Sequence, residues 1–309
     1  MKVAVMGAGA VGGYFGGLLA RSGEDVTFIA RGEHRKALEE KGLTVKSVHG
    51  DFSLKVNVAL TPMEVDPVDL VLFCVKAYDT DMVSYQILPM VTWRTTVLTL
   101  QNGVDNAEKI EKVVGGPGKV MPGVARIEAT VLEPGVIGQM SQFRDIEFGE
   151  WDGTVTPKAE KVFQAFQKAG IPCQLSPDIR KSLWTKLLFI SAFAGMTTLT
   201  GGTIGEVMNC RETRELYISL MREVEKVARA KSVNLDDDVI EKVLKLTGGF
   251  SHEAKSSMQR DLEKGKQLEI DALHGIIVKY GKELSIPTPV NETIYGCLKL
   301  IEQKRRATR

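Results

Sequence analysis

The feature that most constrains this chain stands at its start. A short apolar run, Lys2 to Met6, leads straight into Gly7-Ala8-Gly9-Ala10-Val11-Gly12. Ala10 to Arg21 then reads as a helix, and Asp25 to Ala30 (DVTFIA) as a second strand. A lone glycine motif is weak. One set between a strand and a helix, inside a unit of about 30 residues, is the signature of dinucleotide binding. Gly7 permits the tight turn off the strand, Gly9 lets the backbone approach a pyrophosphate, and Gly12 lets helix and strand pack closely. With Ala8, Ala10 and Val11 they form the predicted cofactor loop. The first helical turn adds free N–H groups and the positive end of its dipole.

The same stretch has a competing reading. Val3 to Ala20 carries no charge, and Gly12/Gly16 and Gly13/Gly17 have the small-xxx-small spacing of packed membrane helices. Six of its residues are Gly, however, which leaves the stretch only weakly apolar for a membrane span or a signal peptide. A soluble Rossmann-like opening accounts for both the apolar strand and the glycines. Composition agrees: 43% hydrophobic and 26% charged residues suit a soluble globular protein. The 40 Lys and Arg nearly cancel the 39 Asp and Glu, so no net field recommends nucleic acid or an acidic membrane as partner. The basic end, Lys304-Arg305-Arg306, reads as a short solvated tail. Cys74, Cys173, Cys210 and Cys297 are scattered, which suits a reducing, cytoplasmic compartment. With no CxxC and no HxxxH spacing, no metal site is expected.

Cofactor choice turns on the end of the second strand. NAD-specific sites place an acid there, about 20 residues past the glycines, to hold the ribose 2′-hydroxyl. This chain has Ala30-Arg31-Gly32 instead. Arg31 suits a 2′-phosphate, so NADP(H) is the expected cofactor.

Further along, His34 to Lys41 looks helical. Leu43 to Val48 and Phe52 to Val58 look like a hairpin turning at His49-Gly50-Asp51. Asp69 to Val75 and Thr96 to Leu100 are near-continuous apolar runs, as in strands covered on both faces. After Ser176-Pro177 the periodicity is helical nearly to the end. Thr213 to Lys231, for example, sets Leu216, Leu220, Val224, Val227 and Ala228 on one face. The fold class expected is α/β: an N-terminal Rossmann-like dinucleotide-binding domain over residues 1–175, then an all-α C-terminal domain over 176–309.

Ligands of open α/β sheets lie at the carboxyl ends of strands. That draws attention to Lys76, after Cys74-Val75, and to Asn102, in Gln101-Asn102-Gly103. Each is equally readable as a turn residue. In the second half Lys186 stands out. On a helix it shares a face with Ser182, Ile190 and Ala194, which is no solvated stripe. A Lys there either snorkels or sits in a cleft, where desolvation makes it a proton donor. Glu269 and Asp271 lie near a helix start after Gly265, and Ser256-Ser257 near another. Dipole or capping roles explain these equally well.

Together these pieces resemble the ketopantoate reductase (2-dehydropantoate 2-reductase) family along the whole chain. The matching segments are MKVAVMGAGAVGGYFGGLLA, the FIAR strand end, CVKAYDT, LQNGVDN, LWTKLLF, SSMQRDLEKGKQLEID and IPTPVNETIY. The resemblance implies reduction of 2-dehydropantoate to (R)-pantoate with NADPH, a step of pantothenate and coenzyme A biosynthesis. It implies that Lys186 protonates the new alcohol and that Glu269 contacts substrate hydroxyl and cofactor. It makes Asn102 and Lys76 lining residues, Ser257 a contact to the substrate carboxylate, and Arg31 the 2′-phosphate contact. Four positions depart from the family pattern: Ile190, Ala194, Ile204 and Ala254 stand where Asn is expected. A buried amide that binds a substrate oxygen is not replaceable by Ile without cost, so a related, less polar 2-oxo acid is an alternative substrate. Also open are a non-catalytic NADPH sensor and another two-domain dehydrogenase acting on a hydroxy acid or polyol phosphate. The partner expected is a small-molecule 2-oxo acid held between the domains, the chain being a monomer or homodimer.

Overall fold

The computed structural model describes residues 1–116 and 118–307. It opens with β1 (Lys2–Met6), α1 (Ala10–Arg21), β2 (Asp25–Ile29) and α2 (Gly32–Lys41). Next come β3 (Leu43–Ser47), β4 (Phe52–Leu54), β5 (Asn57–Ala59), β6 (Leu70–Phe73), α3 (Thr80–Gln86), β7 (Thr96–Thr99) and α4 (Asn106–Val114). The long strands β8 (Val120–Glu133) and β9 (Val136–Phe148) precede α5 (Pro157–Lys168) and β10 (Cys173–Leu175).

The strands form one sheet in the order β4-β3-β9-β8-β7-β6-β1-β2-β5, with β10 added beside β9. β7, β6, β1, β2 and β5 run parallel, as in a Rossmann-like sheet. β8 and β9 pair antiparallel and extend it. Every residue of β6 and β7 is buried, as continuous apolar runs require when helices cover both faces. The α1 glycines explain the spacing that mimicked a membrane helix. A Cβ on Gly13 would meet Ile137 at 2.8 Å, and one on Gly16 would meet Val5 at 2.6 Å. The small residues let α1 sink onto the sheet. The expected hairpin is half right: β3 and β4 pair antiparallel, but the second arm breaks after Leu54, and β5 crosses to pair parallel with β2.

From Ser176 on the chain is helical: α6 (Ile179–Thr200), α7 (Ile204–Asn209), α8 (Arg211–Ala230), α9 (Val239–Gly248), α10 (Ser257–Glu263), α11 (Ile276–Glu283) and α12 (Pro289–Ala307). A π-helical turn, Asp271–Gly275, leads into α11. In α8, Tyr217, Leu220, Val224, Val227 and Ala228 are wholly buried, whereas Leu216 is 44% exposed. The expected stripe holds except at its first position, where Tyr217 takes the core place of Leu216 and bonds Thr247 through its hydroxyl. Lys304 and Arg305 are exposed, as a solvated end requires, but they belong to α12, and Arg305 donates to the Leu262 carbonyl. Arg306 has a side chain outside the described set.

The chain divides into two compact units, one of Met1–Gln101 with Asp105–Ser182, the other of Asn102–Val104 with Leu183 onward. Among the described residues one helix, α6, is long and apolar enough to cross a bilayer; 67% of that apolar window is buried inside the protein.

Candidate dinucleotide site and active site

The glycine loop lies where the strand order reverses: β2 pairs on one side of β1 and β6 on the other. Such a switch point is where ligands of open α/β sheets bind. Gly7 has φ +97°, and a Cβ there would stand 2.8 Å from the Val75 backbone nitrogen, so the ends of β1 and β6 touch. A Cβ on Gly12 would lie 2.3 Å from the Gly7 carbonyl oxygen. Gly9 is different: nothing lies within 4 Å of where its Cβ would be. It is the N-cap of α1, with no side-chain cap and no acid in the first turn. The loop thus presents open space, uncapped N–H groups at Ala10, Val11 and Gly12, and a dipole free of carboxylates. That is a cradle for a diphosphate.

One residue the sequence did not single out holds this loop. His34 sits on α2, half-buried. Its Nδ1 accepts from the Gly135 backbone N–H at 3.1 Å, so its Nε2 carries the proton and donates to the Ala8 carbonyl at 2.8 Å. Burial pushes its pKa down, the Ala8 hydrogen bond opposing in part. The imidazole is a neutral bridge between the loop and the β8–β9 turn. Spacing gave no sign of it, because its partners are backbone atoms far apart in the chain.

Arg31 is exposed, in extended conformation at the N-cap of α2. Its side chain makes no hydrogen bond or ion pair among the described residues. Lys76 is half-buried at the N-cap of the turn after β6. Behind it, Gln101 ties the strand ends together, its amide nitrogen reaching the Val75 carbonyl at 3.0 Å and the Thr80 hydroxyl at 2.8 Å. Gln101 Oε1 accepts from Thr99 at 2.9 Å. Asn102 follows, half-buried, before Gly103 at φ +108°.

Asn102, Lys186, Ser257 and Glu269 all fall in the second unit. Lys186 is half-buried on α6, whose face runs from half-buried Ser182 to buried Ala194. Ser176 and Ser182 both donate to Glu147, which fixes the start of the helix. Burial works to raise the Glu147 pKa, but these hydroxyls and Arg126 hold it below the ordinary value. Glu269 is only 8% exposed, and its carbonyl accepts from Leu273 in the π-helical turn. π-turns inside helices are frequent at functional sites. Ser257 is exposed as the first residue of α10; the capping role belongs to Ser256, which accepts from Gln259 and bonds Thr197 at 2.9 Å. Ala194 and Ile204 are buried in the core, whereas Ile190 and Ala254 keep partial exposure. Arg180 stacks on Trp151 at 4.6 Å.

Beneath α6 lies a buried polar chain. His274 Nδ1 lies 3.1 Å from Asn291 Oδ1, and Asn291 Nδ2 donates to Glu223 at 2.7 Å. Glu223 also accepts the Val290 and Asn291 N–H groups at the start of α12. The His274 ring packs so closely on α6 that a Cβ on Gly195 would meet it at 2.6 Å. Burial pushes its pKa down to about 4. Among the described residues no three His, Cys, Asp or Glu side chains cluster as a metal site would require. A surface depression of about 370 Å³, near Lys2, Asp69 and Trp93, lies at the amino ends of the strands, away from the glycine loop.

Fold and loop define a dinucleotide-binding protein of Rossmann type. The family model for ketopantoate reductase PanE/ApbA matches residues 3–153, and its C-terminal counterpart residues 178–302. The chain is 32% identical to an uncharacterised oxidoreductase, YkpB, of Bacillus subtilis, over 99% of this chain and 100% of that one. A PanE/ApbA-family ketopantoate reductase from Ralstonia eutropha superposes with TM-score 0.92 at 34% identity, covering 99% and 100% of the two chains. A D-mandelate dehydrogenase solved with NADH and anilino(oxo)acetate gives TM-score 0.92 at 25% identity, covering 99% of each. The chain belongs to the ketopantoate reductase family. It is an oxidoreductase with a nicotinamide cofactor.

Proposed function

We propose that this protein is a cytoplasmic NADPH-dependent reductase of 2-oxo acids, with 2-dehydropantoate as the reference substrate and (R)-pantoate as its product. The observation that carries the reading is Lys186: a half-buried cation followed on its helix face by Ile190 and Ala194, in the same unit as buried Glu269. Gly7 to Gly12 hold the diphosphate through backbone N–H groups. Arg31 pairs with the 2′-phosphate, and the missing acid after β2 removes the usual ribose contact of NAD sites. Lys76 and Asn102 line cofactor and substrate. The dinucleotide, when bound, supplies the hydride.

Reduction of a ketone leaves an alkoxide, which needs a proton and a positive charge nearby. Lys186 delivers that proton from its ammonium and is reprotonated from solvent. Glu269 accepts a hydrogen bond from the substrate hydroxyl, and Ser257 donates to the carboxylate. The neighbouring D-mandelate dehydrogenase is bound to NADH, so NADPH and NADH are compared directly in the assay below.

A second reading is favoured by Ile190 and Ala254, partly exposed where the family pattern has amides: a less polar 2-oxo acid is the substrate. A polyol phosphate is disfavoured, since Arg180 is already stacked on Trp151. The experiment is steady-state assay of the purified chain with NADPH or NADH and a panel of 2-oxo acids. Expected are turnover, preference for NADPH, and a fall in kcat of about 10²- to 10⁴-fold in Lys186→Ala. NADPH binding without turnover of any 2-oxo acid would make the chain a sensor instead.

A further inference from the structure

We propose that α12 sets the position of Glu269, with Glu302 and Tyr295 as positioning residues for the reaction. The proposal rests on the reading of Glu269 as the group that accepts the substrate hydroxyl. Every residue it needs lies in the second unit.

Helix faces that pack on a neighbour are mostly apolar. The face of α12 that meets the Glu269 segment is polar. Asn291, Tyr295, Lys299, Glu302 and Arg305 follow one another at helical spacing. At about 100° per residue they fall within a sector of about 120°. Their partners run the other way along the chain. Arg305 donates to the Leu262 carbonyl. Glu302 accepts the Leu268 backbone N–H at 2.7 Å. Lys299 and Tyr295 donate to the two oxygens of Asp271, at 2.7 Å and 2.8 Å. His274 Nδ1 donates to Asn291 Oδ1, whose amide nitrogen is committed to Glu223. Helix and segment are laced antiparallel, and Glu269 stands between the ties at Leu268 and Asp271.

The ties differ in weight. Asp271 is exposed, so its ion pair with Lys299 adds little by itself. Tyr295 does more, since its ring packs on the π-helical turn: a Cβ on Gly275 would meet it at 2.9 Å. Glu302 is 9% exposed and Asn291 is wholly buried. Groups buried this far cost free energy unless they are bonded. Glu223 takes the first N–H groups of α12, which stops the helix from sliding along its axis.

Such a stripe fixes alignment more than it adds stability. An apolar stripe repacks when its neighbour shifts. A slipped polar stripe leaves a buried carboxylate and a buried amide without partners. The π-helical turn needs that constraint, because its extra residue makes it a rare geometry. It is held from a second side by α6. The His274 ring fills the space left by the missing Cβ of Gly195. Gly195 follows Lys186 by nine residues, which places it on the opposite side of that helix. The Glu269 segment is therefore fixed between α12 and the back of α6. A reacting group displaced by about 1 Å loses as much as roughly a hundredfold in rate.

The test is steady-state kinetics of the full-length protein with NADPH and 2-dehydropantoate. Glu302→Met keeps the length of the side chain and removes the acceptor; it should lower kcat/KM about tenfold. Glu302→Gln restores an acceptor oxygen and should recover most of that loss. Tyr295→Phe should lower kcat/KM about threefold. In a Glu269→Gln background each of these changes should alter kcat/KM less than about twofold, because the group they position is already gone. Backbone hydrogen exchange gives a readout without turnover. In Glu302→Met, exchange at Leu268 and through the next turn should quicken roughly tenfold while α8 keeps its protection. Three results overturn the positioning role and leave the reductase reading intact: unchanged kcat/KM in Glu302→Met, unchanged exchange at Leu268, or a loss that persists in full beside Glu269→Gln. No turnover of any 2-oxo acid overturns both. If Glu302→Met does not fold, Tyr295→Phe, alone and with Glu269→Gln, decides.

Discussion

The glycine loop and the α6 helix make opposite demands on sequence. The loop acts through backbone: its shape requires residues without a Cβ, and those requirements are the same for every dinucleotide it might hold. The α6 face presents side chains, Lys186, Phe189, Ile190 and Phe193 among them, whose types no backbone geometry dictates. The loop consequently identifies a cofactor class from residue types alone. The helix carries no such signature in residue type, because its packing partners, Phe250 among them, come from distant parts of the chain.

This contrast can be broken from either side. The largest expected effect is on the second unit. His274 is neutral when folded, with a pKa of about 4 against 6.5 when unfolded. The unfolded chain therefore takes up the proton first as pH falls. The contribution is complete above pH 6.5 and is lost progressively down to about pH 4, a change of roughly 3 kcal/mol. Thermal unfolding of wild type and His274→Gln across that window should show the wild type losing more Tm. Parallel curves would remove His274 as the cause.

Next come two glycines. Gly12→Ala should destabilise the fold by about 1–3 kcal/mol, because its Cβ meets a backbone oxygen. Gly9→Ala, with open space at that point, should leave stability within about 1 kcal/mol of wild type and weaken dinucleotide binding instead. Calorimetry on both variants separates the two roles, and equal Tm losses would contradict them. A smaller effect is expected at Arg31: Arg31→Ala should weaken NADPH roughly tenfold and NADH little, as loss of a charge-assisted contact predicts. Equal losses for both cofactors would make Arg31 a mere surface charge. Smallest is His34→Ala, which should weaken either dinucleotide about fivefold through loss of one hydrogen bond to the loop. Unchanged affinity would show that the loop holds its shape alone.

Much of the fold was legible because its signals are local. Strand, glycines and helix follow one another within α1 and its neighbours, and the helical half shows its period in α8. What was not legible depended on pairing across the chain. β5 leaves the expected hairpin for β2 because a short strand carries too few residues to declare its partner. Leu216 was misplaced since one residue of rotation exchanges it with Tyr217. At the site, Lys186 was visible as a cation among apolar neighbours. His34 was not, since its partners are the backbone of Ala8 and Gly135. The cluster of Phe189, Phe193 and Phe250 in the second unit was not legible either, because aromatic residues at helical spacing look the same in any core.

The His34 bridge also sets an order of events. It joins a carbonyl at residue 8 to an amide at residue 135 through a ring at residue 34. During synthesis the first strand, loop and helix leave the ribosome long before the β8–β9 turn exists. Contacts of such wide sequence separation form late, after the loop-closure cost has been met. The nascent chain therefore carries its glycine motif for more than a hundred residues of elongation without the latch that steadies it. A fragment ending before Gly135 would have the dinucleotide signature and not the finished grip.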